Sequence, residues 1–315
     1  MSDRDRDHRR GFSRLARVAS VVGLTCVAAT EVAAQWYVEV GVGGNMSRDV
    51  VVDSRSNDRA SICDEYINPR AIAVPGCTTP DRGAGDGWRA PFDPGKGFSA
   101  QAELGLRLSP RWRLAAVYAR DATGFNQTVS STDASGADFD KIGNELSIGE
   151  ETLGSATSDE VQIVVYRDWP NQTRWTPYAG AGLTYSRTRK DFSWLWARSP
   201  DPADIATGLG QPNAEEIRRN LAGTVSAGRR ALRDNMVGYL LVAGIDRELS
   251  KRATVGLKAQ WQRFDAFESD GYAGDLLRSH PPNLRLDDSE PVSAWSRTGD
   301  TGRFSALFTI RYAVP

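Results

Sequence analysis

Histidine is nearly missing from this chain: there are 2 in 315 residues, alongside 3 methionines and 3 cysteines. So few imidazoles leave almost no material for His-based metal centres or for acid–base chemistry near neutral pH. Neither sign of charge is in excess, with 39 Lys+Arg against 40 Asp+Glu and a formal net charge of −1. That balance excludes a strongly basic nucleic-acid binder and a polyacidic tail. Past the first 34 residues, no apolar run approaches the roughly 20 residues that a membrane-spanning helix needs. Mean hydropathy is −0.44, which excludes a bundle of transmembrane helices. Glycine (30) and tryptophan (9) are plentiful instead.

The start of the chain carries Arg4, Arg6, Arg9, Arg10, Arg14 and Arg17, then a weakly apolar stretch from Val18 to Ala29, then Val32-Ala33-Ala34 before Gln35. A basic start, an apolar middle and small residues at a cleavage point form the layout of a secretory signal peptide. Residues 1–34 are therefore expected to be removed, leaving residues 35–315 as a single exported domain. Cys63 and Cys77 remain in it. An even pair in an exported chain reads as one disulfide. Without a C-x-x-C spacing, it reads as a brace for a loop rather than a redox centre.

Eight segments alternate apolar and polar residues: 36–45, 97–108, 111–120, 159–168, 176–187, 236–247, 252–264 and 303–312. In the second, Phe98, Ala100, Ala102, Leu104, Leu106 and Leu108 face one way and Ser99, Gln101, Glu103, Gly105 and Arg107 the other. Period-2 alternation predicts strands with one apolar face, and about ten residues suffice for a tilted strand to cross a bilayer. The connections decide between a soluble sandwich and a membrane barrel. Short links such as Ser109-Pro110 and Leu249-Ser250-Lys251 alternate strictly with long ones, so every long loop falls at one end. The fold class expected is all-β: an eight-stranded antiparallel transmembrane up-and-down β-barrel with long extracellular loops. The apolar faces meet lipid. Trp36, Phe98, Trp112, Tyr118, Tyr185, Trp261, Phe264, Phe304 and Tyr312 are expected in the interfacial girdles. The opposite faces bring Glu39, Glu103, Arg107, Arg113, Asp246, Lys258 and Arg311 into an interior just wide enough for side chains to fill.

The segments Trp36–Gly44, Pro177–Tyr185 and Ala243–Trp261 resemble the small outer-membrane β-barrel family, which includes outer-membrane protein A-type barrels and opacity-type surface proteins. The resemblance covers the strands and not the loops. It implies residence in the bacterial outer membrane, contact with its lipid and lipopolysaccharide, and delivery by the outer-membrane insertion machinery. Phe308, Ile310 and Tyr312 keep the alternation expected of a final strand, although Ala313-Val314-Pro315 follow. The family spans adhesion, envelope integrity, narrow pores and lipid enzymes, so fold leaves function open.

The loops offer few chemical groups. In the third, Asn213 to Asp234 place Ile217, Leu221, Val225 and Leu232 at helical spacing, with Glu215 and Glu216 early and Arg229, Arg230 and Arg233 late. This predicts a helix that either packs its apolar stripe over the barrel mouth or rests its basic end on anionic lipopolysaccharide. Asp133, Asp138, Asp140, Glu145, Glu150, Glu151 and Asp159 make the second loop acidic without calcium-loop spacing. Trp88, Trp194, Trp196 and Trp295 read either as ligand contacts or as loop cores. His280 stands alone beside two prolines, a poor basis for catalysis. The reading is a non-enzymatic monomer without metal, cofactor or nucleic-acid partner. Its interior is closed or narrow, and its long loops serve structural or surface-interaction roles toward an extracellular ligand. The alternative is a narrow passive porin for small solutes, gated by the third loop.

Overall fold

The computed structural model describes residues 35–57, 61–77, 87–137, 144–272, 277–278, 281 and 283–315. The expected signal peptide, Asp138, Asp140 and His280 lie outside them. Among the described residues twelve strands form one sheet: β1 (Gln35–Ser47), β2 (Val50–Ser56), β3 (Trp88–Phe92), β4 (Lys96–Ser109), β5 (Trp112–Ser130), β6 (Thr132–Asp133), β7 (Leu146–Asp168), β8 (Trp175–Arg198), β9 (Val225–Glu248), β10 (Ala253–Tyr272), β11 (Leu277–Arg278) and β12 (Ser293–Ala313). Eight of them run antiparallel in the order β1-β4-β5-β7-β8-β9-β10-β12, and β1 pairs back to β12. That pairing closes the sheet into a barrel and removes its edges. The short links lie at one end and the long connections at the other.

Alternation sets the two faces. Over Trp112–Thr123 in β5, every second residue is exposed and every other one buried. The exposed residues are apolar: Val38, Val40 and Val42 on β1, Val161, Ile163 and Val165 on β7, Leu257 on β10, Phe308 and Ile310 on β12. Leu257 is 62% exposed in mid-strand, which in water would forfeit most of its burial energy and in lipid costs nothing. Trp36, Trp112, Trp175 and Tyr312 edge this belt at the short-turn end, and Phe98, Tyr118, Tyr185, Tyr239 and Phe304 at the other.

The strands outrun the belt. β8 and β9 each have 24 residues, roughly 80 Å at the usual rise per residue, whereas about ten residues cross the apolar band. The sheet therefore continues beyond the membrane for some ten residues past the alternating segments. β2 carries on from β1 along β12, and β3 leads down into β4. In this extension the polarity inverts. The outward residues become polar, as with Arg187 and Arg189. The inward ones become apolar: Val50, Val52, Ala90, Phe92, Phe125, Leu153, Phe192, Leu232, Met236, Phe264 and Phe267 form one buried cluster. The reason is the solvent, which is lipid below and water above.

Two expectations are corrected here. The helix spans only Ala214–Leu221 (α1). Gly223 takes a left-handed φ of +70° and ends it, and from Val225 the chain finds a ladder partner in β8, Ala197 opposite Val225. Arg229, Arg230 and Arg233 thus belong to a strand. Phe264 is not a girdle residue. It shares the inward parity of Gln262 and is 5% exposed.

Candidate functional site

The barrel interior holds the densest polar chemistry in the molecule. Nearest the short turns, Tyr37, Tyr166 and Tyr178 each stand directly opposite a glycine on the next strand: Gly105, Gly180 and Gly244. A Cβ at Gly105 would sit 2.0 Å from the Tyr37 ring, and one at Gly244 would sit 2.4 Å from that of Tyr178. Only glycine lets these rings lie flat across the sheet toward the centre. Arg113 fills the space between them, its guanidinium 4.6 Å from the Tyr166 ring centroid and 4.9 Å from that of Tyr178. It grips Asp168 through Nε at 2.9 Å and Nη2 at 2.8 Å.

The ion pairs continue inward. Arg311 donates to Asp246 at 2.7 Å and to Glu39 through Nε at 2.9 Å and Nη2 at 2.6 Å. Lys258 lies between Glu39 and Glu103, 2.9 Å from the latter. The hydroxyls of Tyr37 and Tyr166 also donate to Glu103, at 2.7 and 2.9 Å. A second layer follows toward the loops. Arg303 bridges Glu160 and Asp121, Gln262 donates to Glu160 at 2.7 Å, and Thr123 donates to Asn45 at 2.8 Å. The apolar cluster of the extension closes the interior above.

Of the seven expected interior charges, six are buried and joined in this network: Glu39, Glu103, Arg113, Asp246, Lys258 and Arg311. Arg107 is not. Its side chain is 40% exposed at the short-turn mouth, 4.0 Å from Asp168, because position 107 lies where the strand leaves the barrel. It lines a shallow vestibule of about 240 Å³ with Lys251 and Arg252. Sequence reasoning missed Asp168, Glu160, Asp121 and Arg303. All four carry the inward parity of their strands, which was the available signal.

Above the membrane two charged residues are buried among apolar neighbours. Glu151 receives one hydrogen bond, from the Trp88 indole, and its Oε2 has no partner. Burial pushes its carboxyl up to about 8. Lys190 lies 4.1 Å from the Phe267 ring centroid and donates to Thr298 at 3.1 Å. Burial pulls its ammonium down to about 7.

The loops pack into a cap. The Cys63–Cys77 disulfide is formed. Arg285 reaches the carbonyls of both cysteines, at 3.3 and 2.9 Å, and the carboxylate of Glu65 at 3.2 Å. Ile217 and Leu221 of α1 pack on Ile67 and Ile205, and Asn220 donates to the Ile67 carbonyl at 2.9 Å. The acidic loop residues disperse. Asp133 closes a turn onto Ser135 and Ala137, and Glu145 accepts from the amides of Ala206 and Thr207. The four tryptophans expected in loops lie on strands instead, because the sheet continues past the membrane: Trp88 on β3 and Trp196 on β8 meet edge to face with centroids 5.8 Å apart, Trp194 on β8 packs beside Phe192, and Trp295 on β12 lies under Arg55.

No family model and no curated protein matches the chain. Among solved structures, it is similar to the Neisserial surface protein A (10% identity, TM-score 0.37, covering 89% of this chain and 99% of that one). It is also similar to the outer membrane protein OprG from Pseudomonas aeruginosa (9%, 0.42, 88% and 96%). A third likeness is to the outer membrane protease OmpT from Escherichia coli (9%, 0.39, 91% and 100%). At such identities a likeness says nothing of activity. The closed ring, the lipid-facing belt and its aromatic edges identify the chain as an eight-stranded β-barrel of the bacterial outer membrane.

Proposed function

We propose that this barrel is closed, and that it serves a structural and surface-interaction role rather than an enzymatic one, in the manner of outer-membrane protein A-type and opacity-type barrels. The observation that carries the reading is the filled interior: two layers of ion pairs with an apolar plug above them. A solute would have to break several buried charge pairs and then displace Phe92, Phe192 and Phe267 to pass. Gating by the third loop finds no support in the position of α1, which packs on the disulfide loop through Ile67. The contact surface is the loop cap, whose disulfide and Arg285 clamp hold it in one shape for an extracellular ligand. Residues 1–34 direct export, the insertion machinery delivers the chain, and the barrel works as a monomer. The test is single-channel recording of the refolded chain in a planar bilayer, after heat-modifiable gel migration has verified folding. Silence is expected. Steady, voltage-stable openings would overturn the closed reading.

A further inference from the structure

Toward the loops, the inward face of the extension turns polar again one step above the plug. On β2, Val50 and Val52 lead up to Ser54. On β3, Phe92 and Ala90 lead up to Trp88. Past Phe125 and Val129 of β5 comes Ser131, and on β7 Leu153 gives way upward to Glu151. The ladder makes these four neighbours along one wall. Ser54 stands directly opposite Trp88. β3 pairs in turn with Thr132 and Asp133, the residues that follow Ser131. Ser131 donates its amide to the Gly149 carbonyl at 2.9 Å, and Val129 stands opposite Glu151.

Three of the four are sealed from solvent, with Ser54 3%, Ser131 1% and Glu151 1% exposed. The Trp88 indole donates to Oε1 of Glu151. Oε2 of Glu151, Oγ of Ser54 and Oγ of Ser131 find no hydrogen-bond partner among the protein's described atoms. Buried polar atoms are nearly always paired, so three orphans on adjoining segments call for a common cause. The charge has no partner either. Burial and the indole are what set the state of the Glu151 carboxyl, and no neighbouring cation acts on it. Lys190, lower on β8, is engaged with Thr298 and the Phe267 ring. Arg230 donates to the Ala294 carbonyl at 3.1 Å, and Arg89 pairs with Asp53 at 2.7 Å.

We propose that Glu151, Ser54 and Ser131 form a binding site for a monovalent cation beneath the loop cap. The donors are one carboxylate and two hydroxyls, hard oxygens of the kind that hold alkali ions rather than soft metals. The charge count selects the valence. One positive charge leaves a neutral site beside the apolar plug, whereas a divalent ion would leave a net charge buried there. Water alone would satisfy the hydroxyls and leave an ionised carboxylate uncompensated. An ion held here ties β2, the strand that enters the disulfide loop, to β5 and β7 across β3. The inference goes beyond the closed-barrel reading and does not depend on whether the barrel conducts.

The test is urea unfolding of the full chain in detergent at pH 9, above the value of about 8 to which burial raises Glu151. Sodium, potassium and calcium chlorides are compared with tetramethylammonium chloride at equal ionic strength. Sodium or potassium should raise the unfolding midpoint over tetramethylammonium, saturably, and calcium should do no better than either. Glu151→Gln should abolish the difference while keeping heat-modifiable migration. Ser54→Ala/Ser131→Ala should raise the half-saturating concentration at least tenfold. Asp159→Asn, an exposed carboxylate on the same strand, should leave the response intact. Equal midpoints in potassium, sodium and tetramethylammonium would overturn the proposal and leave the site to water. A full response in Glu151→Gln would overturn it too, as would a larger response to calcium.

Discussion

Replacing Lys258 by methionine tests whether the buried charges hold the barrel together. The ammonium lies fully buried between Glu39 and Glu103. Methionine keeps the length of the stem and removes the charge. Glu39 then still has Arg311, at 2.9 and 2.6 Å. Glu103 keeps the hydroxyls of Tyr37 and Tyr166 but no cation within ion-pair distance among the described residues, Arg113 and Arg311 acting on it only from farther off. Leaving one charge of a buried pair uncompensated costs about 3–5 kcal/mol. Arg107→Ala is the internal comparison: it lies on the same inward face, yet it is 40% exposed and 4.0 Å from Asp168, so its loss should cost about 0–1 kcal/mol. The decisive variant is Lys258→Met/Glu103→Gln. Glutamine keeps an acceptor for one tyrosine and offers its amide N–H to the other hydroxyl, without the charge, so the double variant should be more stable than Lys258→Met alone, and a double-mutant cycle reads the coupling directly. The assay is urea unfolding in detergent or liposomes, followed by heat-modifiable migration. A Lys258→Met loss within 1 kcal/mol of that of Arg107→Ala would refute the reasoning, by the yardstick of an exposed pair. A double variant weaker than the single would refute it as well.

The plug and cap give three more expectations. Because burial holds the Glu151 carboxyl at about 8 against an ordinary 4.5, folding takes up a proton between those values. Stability should therefore fall by up to about 1.4 kcal/mol per pH unit across that window and level off above it. Glu151→Gln should abolish the slope, and an unchanged slope in pH-dependent unfolding would count against the assignment. Lys190 has the opposite sign: its ammonium is held at about 7 against 10.5, so its share of stability rises between those values and is lowest below 7. Lys190→Met should then unfold at higher urea than wild type at pH 6, and a lower midpoint would contradict this. Closing a loop of about 15 residues with a disulfide is worth about 3 kcal/mol, here confined to the cap. Cys63→Ser/Cys77→Ser, and more mildly Arg285→Ala, should open the exposed Arg70 to trypsin on folded barrels while leaving heat-modifiable migration unchanged. Protection of Arg70 in both variants would show that the cap does not depend on this clamp.

How much could be read from the residues depended on which solvent they face. In β1, β4 and β5 the alternation of Val38, Leu104 or Leu114 with Glu39, Glu103 or Arg113 is unbroken, and parity alone assigns the interior. Which charges meet is another matter. Lys258 and Glu103 lie 155 residues apart in the chain, and their contact depends on the stagger of strands around the closed ring, which no local pattern encodes. Arg303 and Glu160 had the right parity but sat at the ends of segments, where an alternation search gives them least weight. The helix ends earlier than its apolar spacing suggests for a related reason. Val225 and Leu232 fit a helical stripe, but Gly223 breaks it, and the ladder with β8 decides the remainder.

The missing half of each long strand follows from the inversion of polarity. A search for apolar-out, polar-in strands stops where lipid stops, since from there the same parity must place polar residues outside and apolar ones inside. On β8, Leu183 and Tyr185 give way outward to Arg187 and Arg189, while the inward face passes from Thr184 and Ser186 to Phe192. On β9, Leu241 and Tyr239 give way to Asn235 and Arg233 outward, while Met236 and Leu232 turn in. Bulges such as those between Leu153 and Ala156 on β7 and between Arg263 and Phe267 on β10 shift the phase near the same level, which blurs the pattern further. The two interiors do different work. Ion pairs are tolerable below because the barrel wall shields them from lipid and each charge finds a partner within the ring. Above, water surrounds the sheet, and an apolar core is the ordinary way to hold a sheet closed. The level at which Tyr185 yields to Arg187 is therefore one boundary seen from both sides: the end of the lipid outside and the start of the plug inside.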